Sequence, residues 1–174
     1  VPFSFQTRPD MAIKTTDGVV WKENGTIGWT NPYNEKVWDY NIAIAKEAVS
    51  KGFDEIQFDY VRFPTGTRGK VDYGTEVPRT DAITGFLKKA VDELHPLGVK
   101  VSADIFGIVI ESGVDGRNIG QELEKVGLDV DYISPMLYPS HYANDSKGYF
   151  GNGVGRDRRR SIQETGPGAL QGNI

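Results

Sequence analysis

The sequence predicts an α/β fold, a TIM-type (β/α) barrel of which this chain holds only part. Three observations carry that expectation. Amphipathic helical segments alternate with short apolar strands, the pattern of βαβ units and a parallel sheet. Each strand has an aliphatic face and a polar face, and helices on both sides of an open sheet would bury the polar face at considerable cost. Acidic and aromatic residues recur at strand C-terminal ends, where a barrel keeps its reacting groups.

The elements follow in order. Two turn signals near the start, Asp17-Gly18 and Asn24-Gly25, mark a short hairpin or an ordered loop. The first helix spans Glu35 to Ser50 with Asn34 as its N-cap. Its apolar face holds Val37, Asn41, Ile44 and Ala48, with Trp38, Ile42, Ala45 and Val49 beside them. Gly52 is the left-handed stop, and "FDEIQFDY" (Phe53 to Tyr60) is the first strand.

The second helix, Thr80 to His95, has the clearest period. Ile83, Phe86, Leu87, Ala90, Val91 and Leu94 share a stripe, and Lys88, Lys89, Asp92 and Glu93 face away. Pro96 and Gly98 end it, and "VKVSADIFG" (Val99 to Gly107) follows as a strand. A third helix over Asn118 to Val126 buries Ile119, Leu123 and Val126 and stops at Gly127, before the strand "VDYISPMLY" (Val130 to Tyr138). From Gly151 onward the chain has six glycines, four arginines and no period. The expected division is therefore a partial barrel domain over 1–150 and a loop or tail over 151–174.

Composition narrows the function classes. A chain of 174 residues with 38% hydrophobic content suits one globular core. A net charge of -4 argues against a nucleic-acid partner, and no apolar run approaches a membrane span. With no cysteine there are no disulfides, thiol nucleophiles or thiolate metal sites, and two histidines (His95 and His141) make a histidine-rich metal site unexpected. No cofactor and no metal are expected.

Alternation along the strands brings the chemistry together. Ile56, Phe58 and Tyr60 suit packing on helices, while Glu55, Gln57 and Asp59 point the other way. Val101, Ala103 and Ile105 likewise oppose Ser102, Asp104 and Phe106; Ser134, Met136 and Tyr138 are expected inward, with Ile133 and Leu137 outward. Asp59, Asp104 and Tyr138 thus converge on one rim. Two carboxylates on neighbouring strands, roughly 5 Å apart, would push each other's pKa values apart and divide acid from base or nucleophile, as glycoside hydrolysis requires.

A single strand-end aspartate more often caps a loop than catalyses. Two in matching positions on adjacent strands favour catalysis. Asp54 and Asp131 open strands at the opposite rim and suit backbone hydrogen bonding, and Glu55 suits a lysine or arginine partner inside the barrel. Arg62 has two open roles, binding substrate or holding Asp59 ionised. Trp29, Tyr33, Tyr60, Tyr138 and Tyr142 fall near strand ends or in loops, where they could stack on sugars, whereas Trp38 on its helix suits the core. His141 is a candidate acid–base helper, although an ordinary loop histidine is the commoner outcome.

The segments "NPYNEKVWDYNIAIAKEAVSKGFDEIQFDYVRFP", "VSADIFG" and "DYISPMLYPSHY" closely resemble a bacterial family of glycoside-hydrolase-like (β/α)8 barrels, a domain family of unknown function. The resemblance covers roughly Arg8 to Tyr149. It implies a TIM-like barrel, a secreted or cell-envelope location and a polysaccharide substrate. The family's strand-end aspartates fall on Asp59 and Asp104, and its "PMLYPSHY" block on Pro135 to Tyr142. The resemblance implies a strand or more before the start of this chain and a barrel that continues past about Phe150, where the Arg- and Gly-rich tail departs from the pattern. A full barrel takes about 250 residues, so a fragment, or an aberrant tail, is expected. Its exposed sheet edges would favour self-association.

The leading expectation is a glycoside hydrolase acting on an envelope or extracellular polysaccharide. Asp59 and Asp104 would be its acid, base or nucleophile, with Tyr60, Arg62, Tyr138, His141 and Trp29 binding substrate. The alternative is a non-catalytic carbohydrate-binding or surface-interaction module on the same scaffold. A third option, a metal-dependent hydrolase using the Asp pair, is weakened by the shortage of histidines.

Overall fold

A computed structural model describes residues 8–138. The chain divides into two compact units, Val1–Met136 and Leu137–Ile174. All the elements below lie in the first.

Near the N-terminus, β1 (Lys14–Thr15), β2 (Lys22–Glu23) and β3 (Ile27–Gly28) precede helix α1 (Glu35–Ser50). Then come β4 (Glu55–Phe58), β5 (Val71–Asp72), α2 (Arg79–Leu94), β6 (Lys100–Phe106), α3 (Ile108–Glu111), α4 (Gly113–Ile119), α5 (Leu123–Asp129) and β7 (Tyr132–Met136). The strands β4, β6 and β7 form a three-stranded sheet in that order, paired in parallel throughout. Successive strands are therefore spatial neighbours, with helices in each crossover.

Both turn signals near the start are used. Asn24 and Gly25 take positive φ and join β2 to β3, which pair antiparallel. Gly18, also at positive φ, lets Thr15 and Val19 close a turn. Ile13, fully buried, donates its amide to the Trp29 carbonyl at 2.9 Å, and Asn31 donates to the Met11 carbonyl at 2.7 Å. The segment Met11–Ile13 thereby fixes the hairpin that carries Trp29.

Helix α1 has the bounds its sequence predicts, and the Asn34 side chain accepts from the Lys36 amide. Its apolar stripe is rotated relative to expectation. Ile42 and Ala45 are buried with Trp38 and Val49 against the core, while Ile44 is half exposed and Asn41 turns back to the Val37 carbonyl. Trp38 packs on the core and anchors its indole N–H on the Pro32 carbonyl at 2.7 Å. Helix α2 buries Ile83, Phe86, Leu87, Ala90 and Leu94 as its period predicts, with Lys88 and Asp92 paired on the outside. Gly52 and Gly98 both take the left-handed conformation expected of helix stops.

The expected helix over Asn118 to Val126 does not form as one piece. Helix α4 ends at Ile119, Gly120 is left-handed, and α5 starts at Leu123. The break frees Gln121, fully buried, to bond backbone groups at the strand ends, which a helical position would forbid. Gly127 sits inside α5 rather than stopping it, and Leu123 is partly exposed although Ile119 and Val126 are buried.

The sheet has two unlike faces. Val101, Ala103 and Ile105 are fully buried under α1, α2 and α5, joined by Ile56, Phe58 and Ile133. On the other face Ser102 donates to Glu55 at 2.7 Å and Gln57 donates to Asp104. Glu55 thus has a serine partner, not the cation expected of it. Asp131 behaves as a strand-opening residue should. It accepts from the Val101 amide at 2.9 Å and from Lys100 Nζ at 2.7 Å, and meets His95 Nε2 at 2.8 Å.

A Cβ on Gly120 would lie 2.8 Å from Ile83 and 2.9 Å from both the Arg79 carbonyl and Phe63. Gly120→Ala should therefore cost roughly 2–4 kcal/mol, combining overpacking with left-handed strain, read as a lower urea midpoint. Lys100, the Val101 amide and His95 hold the Asp131 carboxyl far below the usual carboxylate range. A depressed folded pKa contributes stability above the unfolded value near 4, and that contribution is lost as pH falls toward the folded value. Urea midpoints of wild type and Asp131→Asn should differ fully near neutral pH and begin to converge only as pH falls below about 4.

Candidate functional site

The site is built where β4 ends. Pairing runs in register to Phe58 opposite Ala103, one step before Asp59 would face Asp104. There the chain turns. The Asp59 carboxylate accepts from the Tyr60 amide at 2.7 Å, and Tyr60 takes φ 55. A bulky residue in the left-handed region carries about 1–3 kcal/mol of strain, which the surroundings must offset. The turn sets the Tyr60 ring edge-on to Phe106 with centroids 5.8 Å apart, and tilted at 6.4 Å from Trp29.

Arg62 enters the space between these rings. Its guanidinium carbon is 4.4 Å from the Phe106 centroid, 4.9 Å from Trp29 and 5.0 Å from Tyr60. Three aromatic faces around one cation provide a cation–π cage. Nη1 donates to the Phe63 carbonyl at 2.9 Å, whereas Nε is buried with no hydrogen-bond partner. Burial pushes the guanidinium below its usual pKa, and the charges of Tyr60 and Glu23 push back. Among the described residues Arg62 forms no ion pair, so its role of holding Asp59 ionised does not appear in the geometry.

A cavity of about 640 Å³ opens beside these groups. Glu23, Trp29, Asp59, Tyr60 and Arg62 line it with Trp38 and Asn41, and Phe58, Ile83 and Phe86 add apolar wall. Glu23 is held by the indole N–H of Trp29 at 3.0 Å. The cavity thus has two carboxylates, one cation and several aromatic surfaces, a combination suited to binding a polyhydroxylated ring. Among the described residues no cluster of three His, Asp or Glu side chains forms a metal-binding group.

The sequence-predicted residues separate accordingly. Asp59, Tyr60, Arg62 and Trp29 come together around the cavity. Asp104 does not line it; half-buried on the polar face of β6, it accepts from Gln57. Tyr138 belongs to the second compact unit and is about half exposed. His141, Tyr142 and the 151–174 tail lie outside the described residues.

Three residues of the site had no sequence signal strong enough to find them. Glu23 lies beside a turn, where periodicity says nothing. Phe106 was visible on the polar face of its strand, but its contact with Arg62 was not. Gln121 was hidden inside an expected helix. Its amide nitrogen donates to the Val61 carbonyl and the Asp104 carbonyl, each at 3.1 Å, and its oxygen accepts from the Phe106 amide at 3.0 Å. One side chain thus ties the segment carrying Arg62 to the end of β6. Phe63, fully buried, continues the anchorage by donating its amide to the Ile119 carbonyl at 2.8 Å.

The geometry defines an α/β domain with an aromatic, carboxylate-bearing cavity at the end of a parallel strand. The chain belongs to the family described as "putative glycosyl hydrolase domain", which matches residues 2–153. It is also similar to a solved structure, a hypothetical protein from Ruminiclostridium thermocellum ATCC 27405, at 42% identity and a TM-score of 0.52. That similarity covers 59% of this chain and 52% of the other, so the match spans about half the length of that protein. No curated protein matches the chain.

Gln121→Leu keeps the volume and removes the amide, leaving the Val61 and Asp104 carbonyls and the Phe106 amide without this partner. It should lower stability by roughly 2–4 kcal/mol. Chemical denaturation followed by tryptophan fluorescence would measure the loss.

Proposed function

We propose that the domain is a glycoside hydrolase on a (β/α) barrel, acting on an envelope or extracellular polysaccharide. Asp59 and Asp104 are the acid and the base or nucleophile in this proposal, and Trp29, Tyr60 and Arg62 hold the sugar. The observation that carries it is the cavity at the end of β4, where Asp59 is grouped with aromatic rings and a caged cation. Aromatic faces pack on the C–H faces of sugars, and carboxylates bond hydroxyls or transfer protons to a glycosidic oxygen. Family membership supports the reaction class. The barrel is supported by the sequential parallel order β4, β6, β7 and by a sheet whose helices cover one face while polar side chains occupy the other.

The test is hydrolysis of a panel of polysaccharides by the whole chain. Asp59→Asn and Asp104→Asn should each lower turnover by roughly a hundredfold or more, the scale of a lost acid–base group. Turnover unchanged in both variants would refute the assignment.

One observation favours the second reading, a carbohydrate-binding module without turnover. Asp104 does not line the cavity that Asp59 faces and is bonded to Gln57. This reading requires glycan binding without product, weakened more by Trp29→Ala and Tyr60→Ala than by loss of either aspartate.

A further inference from the structure

We propose that Arg62 makes the cavity selective for glycans whose sugar units carry a negative charge, as a carboxylate or a sulfate ester. The inference deepens the glycan-handling reading above and rests on it. A cation withdrawn from water is costly unless it is paired, and folded proteins ordinarily place a carboxylate against it. Among the described residues Arg62 is surrounded by three aromatic rings, with the Tyr60 side chain also acting on its charge, and it bonds the Phe63 backbone carbonyl. Glu23 is the one carboxylate whose charge raises the Arg62 pKa, yet it stands beyond ion-pair distance and is committed to the Trp29 indole. Asp59, three residues before Arg62, has one of its carboxylate oxygens bonded to the Tyr60 amide.

The cage nevertheless leaves the cation on the cavity wall, where Arg62 is only partly buried. Aromatic rings on three sides exclude water and so strengthen any contact with an anion entering from the fourth. Arginine is also the side chain whose planar guanidinium best matches carboxylate and sulfate oxygens. Tyr60, 57% exposed, and Trp29 set ring surfaces beside the cation. A sugar with an anionic substituent can therefore meet a ring surface and a charge in one step. A neutral sugar would leave the cation uncompensated.

The test is calorimetric binding of the whole chain to three probes of equal length: an oligogalacturonate, a sulfated oligosaccharide and a neutral cello-oligosaccharide. At least one anionic probe should bind roughly tenfold tighter than the neutral one. The advantage should shrink at about 0.5 M salt, and Arg62→Gln should bring the ratio to about one. The anionic probe that wins identifies carboxylate or sulfate as the recognised group. Wild type alone decides the matter if Arg62→Gln does not fold. Equal or tighter binding of the neutral probe overturns the inference while leaving the glycosidase reading standing. An unchanged ratio in a folded Arg62→Gln also overturns it, since Arg62 is then only a pillar for the rings. Failure to bind any probe overturns it together with the glycan-handling reading.

Discussion

A single buried amide holds the end of the sheet together. Gln121 accepts from one backbone group and donates to two, on β6 and on the segment beyond β4. Those groups lie beyond the last β4–β6 pair, Phe58 opposite Ala103. Buried backbone groups without partners are expensive, so the site can exist only where something supplies these bonds. The requirement propagates outward. It breaks the helical stretch between α4 and α5, and it demands a left-handed Gly120 close against Phe63 and Ile83. It also sets how far Val61, and hence Arg62, stands from Phe106.

The two faces of the sheet divide the labour. Aliphatic residues of β6 are sealed beneath α1, α2 and α5, and the unlike sequences of the helices converge on that one apolar surface. The other face carries a staggered pair of side-chain bonds, Glu55 with Ser102 and Gln57 with Asp104. Charges at both strand rims are handled differently. Asp131 at the opening rim is saturated by partners and serves the fold. Asp59 at the closing rim keeps exposure and a place on the cavity wall.

Much of this was legible in residue order. The bounds of α1, the buried stripe of α2 and the alternation of β6 follow from periods of 3.6 and 2, which act locally. The positions of Asp59 and Asp104 were readable for the same reason. What periodicity could not reveal was that the ladder stops at Phe58, one residue before the two aspartates would face each other, and that the chain then turns at a left-handed Tyr60. Gln121 was misread because Ile119, Leu123 and Val126 have helical spacing by coincidence of two separate helices. Arg62 was singled out as a site candidate, yet its cage joins the neighbouring Tyr60 to two distant parts of the chain, the hairpin with Trp29 and the end of β6 with Phe106. No local pattern encodes such a meeting.

The left-handed Tyr60 also bears on where the native state gives way. Its backbone strain is a debit located beside the cavity, and the aromatic contacts around Arg62 are what balance it. Exposed segments beside binding cavities sit at the low end of local opening free energies, and strain adds to that tendency. Amide exchange should then be faster just after β4 than at Phe63, whose amide is locked to Ile119. A ligand that completes the ring cage would suppress that exchange. Occupancy and local rigidity thus become two measures of the same equilibrium.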